Sequence, residues 1–96
     1  MLVNLSNHPL KEWQKEQESQ ARRLYGTLRD LPFPLIDPQA DGREVAALAH
    51  EYALLCRATL LAGAEERNAV HLMGEQSFVF AVASVLLDMG IECLAS

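Results

Sequence analysis

The strongest constraint on this chain is its punctuation. Four short strand-like runs, residues 2–5, 27–31, 69–73 and 91–95, are separated by three longer stretches with helical character. Regular alternation of this kind predicts a parallel sheet whose strands are joined by crossover helices. The expected fold is α/β, a small Rossmann-like βαβαβαβ domain with a four-stranded parallel sheet. Runs one and three are the most apolar and belong at the centre, which gives the strand order 2-1-3-4. Ninety-six residues make one domain, 1–96, with a small core.

Each helix has readable ends. Pro9 suits the first position of a helix, with Asn7 or His8 as its cap. Leu10, Trp13, Gln17, Ala21 and Leu24 then recur every three or four residues, and Gly26 is the natural stop. Asp41 and Glu44 form a capping-box pattern ahead of Val45, Leu48, Ala49, Tyr52, Leu55, Cys56 and Thr59, with Gly63 at the end. The last helix begins around residues 75–77. From 78 to 89 it is apolar nearly all round, more than one sheet face can cover. A second protein surface is therefore expected, in the simplest case a homodimer.

Charge and composition narrow the function classes. Eight Lys and Arg against thirteen Asp and Glu leave a net charge of −5, which argues against binding duplex nucleic acid. No uncharged apolar stretch is long enough for a membrane span. Asn4, Asn7 and His8 interrupt any signal-peptide core, so the expected location is cytoplasmic. Cys56 and Cys93 read as buried free thiols. The chain has no CxxC, HExxH or carboxylate cluster, and no metal or cofactor is expected. It also lacks a GxGxxG, a P-loop and a GxSxG.

The candidate chemistry lies at two strand-to-helix elbows. Parallel α/β sheets bind ligands beyond the carboxyl ends of their strands, at the switch point. The first-turn amides of a helix also favour an anion there. In the first elbow Ser6 and Asn7 serve either as caps or as phosphate positioners. His8, an imidazole near a strand end, is the candidate acid or base. In the second elbow Gly74 permits close backbone approach, with Gln76 and Ser77 following it. Glu75 is either an electrostatic cap, or a partner for sugar hydroxyls or a general base. His71, alternating with Val70 and Leu72, reads as a packed histidine inside a strand.

Several fragments together carry a family resemblance: Asn4-Leu5-Ser6-Asn7-His8-Pro9, Leu31-Pro32-Phe33-Pro34, Asp37-Pro38, His71-Leu72-Met73-Gly74-Glu75 and Gly90-Ile91-Glu92-Cys93. The pattern resembles small stand-alone CRISPR-associated proteins with a CARF-like domain, some of which are ring nucleases acting on cyclic oligoadenylate second messengers. The resemblance implies a homodimer with a ligand pocket across its two-fold axis, lined by both elbows. Ring-opening nucleases of this type often place a Lys or Arg at the pocket. Neither elbow has one, and Lys11 is the nearest. Related proteins also tend to run on past the fourth strand, so further polar or basic residues are expected at that edge.

The resulting expectation is a binder of cyclic oligoadenylate for antiviral signalling, with metal-independent cleavage through attack of a ribose 2′-hydroxyl on its phosphate. His8 would be catalytic, and Ser6, Asn7, Lys11, Gly74, Glu75, Gln76 and Ser77 would bind ligand. The alternatives are a non-catalytic interaction protein using helix 78–89, or an enzyme on another nucleotide or sugar phosphate.

Overall fold

A computed structural model describes residues 1–64 and 66–95. The elements are β1 (Leu2–Ser6), α1 (Lys15–Tyr25), β2 (Leu28–Pro32), α2 (Gly42–Leu61), β3 (Ala69–Met73), α3 (Gln76–Asp88) and β4 (Glu92–Ala95). The four strands form one parallel sheet in the order β2-β1-β3-β4, as the apolar content of β1 and β3 required. The domain is α/β and Rossmann-like.

Alternation along the strands sorts the core into two layers. Val3, Leu5, Val70 and Leu72 point to one face, where Ala49, Ala53, Cys56 and Leu60 of α2 and Phe78, Val82 and Leu86 of α3 cover them. Leu2, Leu28 and Ala69 point to the other face, where Trp13 and α1 residues Ala21 and Tyr25 pack. Full burial of one large side chain such as Phe78 is worth about 1.5–3 kcal/mol. Cys56 and Cys93 are free thiols, and burial chiefly, then proximity to Cys93, pushes the Cys56 thiol up to about 12.

The expected helix ends hold in α2 and α3. The Asp41 carboxylate accepts from the Glu44 N–H at 2.9 Å, and Gly90 follows α3 in a left-handed conformation. The region after β1 does not follow expectation. Instead of a helix running from Pro9, a single 3-10 turn spans Leu10–Glu12, Trp13 returns to extended backbone, and α1 starts only at Lys15. Two bonds, one from across the sheet and one local, explain the break. The Leu10 N–H is drawn to the Asp30 carboxylate at 3.2 Å, and the Trp13 indole N–H reaches back to the His8 carbonyl at 3.1 Å. The buried face of α1 is consequently Ala21 and Tyr25, while Gln17 and Leu24 of the expected stripe are exposed.

Candidate ligand-binding site

The switch point of this sheet lies between β1 and β3, and the two elbows meet there. The Asn7 N–H donates to the Met73 carbonyl at 3.1 Å, extending the β1–β3 ladder by one bond beyond the strand ends. Beside this junction a cleft of about 450 Å³ opens at the carboxyl ends of β3 and β4, under one side of α3. Asn7, Gly74 and Gln76 are among its lining residues. Leu72, Val79, Phe80, Ala83 and Cys93 are among the residues that form its walls. Its size falls within the ordinary range of small-molecule sites.

The first elbow is held by a row of polar side chains across three strands. Asn4 stands opposite Asp30 of β2 and His71 of β3 in the sheet register. Its amide nitrogen donates to the Asp30 carboxylate at 2.9 Å and to the His8 carbonyl at 3.0 Å. Both amide protons being spent, its oxygen faces His71 Nδ1 at 2.8 Å, which puts the imidazole proton on Nδ1. Ser6 Oγ accepts from the His8 N–H and donates to the His8 carbonyl, both at 2.9 Å. Trp13 packs edge-to-face on His71, with ring centroids 5.4 Å apart. Burial, and then the neighbouring His8, hold the His71 imidazole below its ordinary value. His71 is the packed strand histidine its alternation suggested.

The second elbow is closed differently. Gly74 adopts φ +153°, and a Cβ there would lie 2.3 Å from the Phe33 ring. Phe33 in turn stacks edge-on against Phe78 at 5.3 Å. Glu75 caps α3, its carboxylate accepting from the N–H groups of Ser77 and Phe78 at 2.9 Å each. These bonds, that from Phe78 first, hold its carboxyl below the usual range. The idea that both elbows aim free helix amides at a shared anion is therefore corrected. No α-helix starts at the first elbow, and at the second Glu75 already bonds two first-turn amides.

The candidate residues divide by position. Asn7, Gly74 and Gln76 come together in the cleft. Glu75 and Ser77 line a separate hollow of about 250 Å³ against Ile36, Asp37 and Pro38. Ser6 is buried within its own turn. His8 is partly exposed with Nδ1 3.4 Å from the Glu12 carboxylate, and Lys11 is exposed on the 3-10 turn. Asn4 and Asp30, which brace the first elbow, are not among the site residues expected from sequence, and Phe80, expected only as part of the apolar helix 78–89, flanks the cleft. Their common register is what would have revealed the first two.

A family model described as the uncharacterized protein MJ1673 family matches residues 1–96. The chain belongs to the MJ1673 family. Among curated proteins and among solved structures nothing matches this MJ1673-family chain. No helix among its described residues is long and apolar enough to cross a membrane.

Proposed function

We propose that this MJ1673-family protein binds a nucleotide ligand of the cyclic oligoadenylate class at the carboxyl edge of its sheet, in a cytoplasmic setting. The observation that carries the reading is the union of the two elbows. One backbone bond joins Asn7 to Met73, and Asn7, Gly74 and Gln76 line the same cleft. Lys11 and His8 lie on the segment that follows Asn7 and are the cationic and titratable groups nearest to it in sequence. In the catalytic extension of the proposal, the ribose 2′-hydroxyl attacks the adjacent phosphorus and the bond to the 5′-oxygen breaks. His8 would take up or deliver the proton, and alignment would supply the rest.

Two copies would complete the site through α3, whose Phe80 and Leu87 are 72% and 61% exposed. Val82 and Leu86 are fully buried within one chain, so charged substitutions there test folding. Leu87→Asp is the substitution that tests assembly. The same exposed pair favours the second reading, a non-catalytic interaction protein.

Thermal shift with cyclic tri-, tetra- and hexa-adenylate tests the proposal. A ligand at 100 times its dissociation constant should add about 2.7 kcal/mol of stability. An unchanged melting temperature with all three would leave the interaction reading ahead.

A further inference from the structure

We propose that the cleft beside α3 receives the purine base of the ligand, not its phosphate. This rests on the nucleotide reading above and assigns one part of the ligand to one part of the site. Most of the wall is apolar, built from side chains such as Leu72, Val79, Ala83 and Cys93. A phosphate there would lose its hydration without matching donors. The first-turn amides of Ser77 and Phe78 are also already bonded to the Glu75 carboxylate and are not free to receive it. A flat, weakly polar heterocycle has neither difficulty.

The polar groups present suit a base edge. Asn7 and Gln76 line the cleft, and a carboxamide offers a donor and an acceptor side by side. That is the pairing by which Asn or Gln engages the N6 and N7 positions of adenine. Phe80 adds an aromatic face. Phe80 lines the cleft and is 72% exposed, so its aromatic face is open to a ligand. Stacking on such a ring is a common way of holding a nucleobase. The phosphates would then lie outside the cleft.

Calorimetric titration of the full chain with adenosine, ribose 5-phosphate and cyclic tetra-adenylate separates the parts, with Phe80→Ala and Gln76→Ala as variants. Both replaced residues are exposed, so folding should be retained and is checked by circular dichroism. Adenosine should bind and ribose 5-phosphate should not. Phe80→Ala should weaken adenosine and cyclic tetra-adenylate alike, by about 5- to 150-fold. If cyclic tetra-adenylate binds both variants as it binds the native protein, the base assignment is overturned while the nucleotide reading stands. If adenosine binds in a Phe80-dependent way and no cyclic oligoadenylate does, the base site stands and the larger reading falls. If nothing binds, both fall.

Discussion

The two elbows do the same topological job with opposite materials. After β1 the chain is tied by buried side chains reaching across the sheet: Asn4 to Asp30 and His71, and the His8 carbonyl to Asn4, Ser6 and Trp13. After β3 it is tied by an exposed Glu75 carboxylate on its own helix and by the packing of Gly74 under Phe33. Buried networks are costly to break because every partner left behind is orphaned away from water. An exposed cap is cheap to lose. The first elbow is therefore the costlier of the two to break.

The sharpest way to break this contrast is Asn4→Ala. It strands the His71 Nδ1–H and withdraws a donor from the His8 carbonyl, and should cost about 2–4 kcal/mol in urea unfolding. A loss no larger than that of an ordinary surface substitution would mean that the row does not brace the elbow. Gly74→Ala comes next, at about 1–3 kcal/mol, because its Cβ meets the Phe33 ring. Pairing it with Phe33→Leu should recover part of that loss. Full additivity would show that the clash is not the cause.

The order of elements was legible because period 2 and period 3.6 alternate cleanly and Gly26, Gly63 and Gly90 mark the ends. The strand order came from the apolar content of β1 and β3. The segment between β1 and α1 was not legible. Pro9 is a good helix start by local rules, and the bonds that override it come from Asp30, twenty residues after Leu10, and from Trp13 folding back. Asn4 likewise looks like an interruption in a strand until the register sets it between Asp30 and His71. Glu75 carried both of its readings from the start, and its two amide bonds show the cap.

Acid separates the elbows further. Folding lowers the His71 pKa beneath its usual 6.5, so the unfolded chain binds the proton more readily. Stability should be full above pH 6.5 and decline as pH falls below it. His71→Gln should flatten that limb of the curve. If the native protein is already flat there, His71 is not held neutral by the first elbow. Glu75 has a depressed carboxyl, so its contribution is present above about 4.5 and fades as pH falls through its lower folded value. Glu75→Gln should give the smallest stability change of the series, visible as loss of that acid limb alone.

The most direct test of a shared site at the carboxyl edge is an amide-resolved NMR titration of the full chain with cyclic tetra-adenylate. Saturable shifts should concentrate at Asn7, Met73, Gly74 and Gln76, the residues that join the elbows and line the cleft. Shifts confined to Gly90 and Ile91, in the hollow where β4 begins, or no saturable shifts at all, would contradict it.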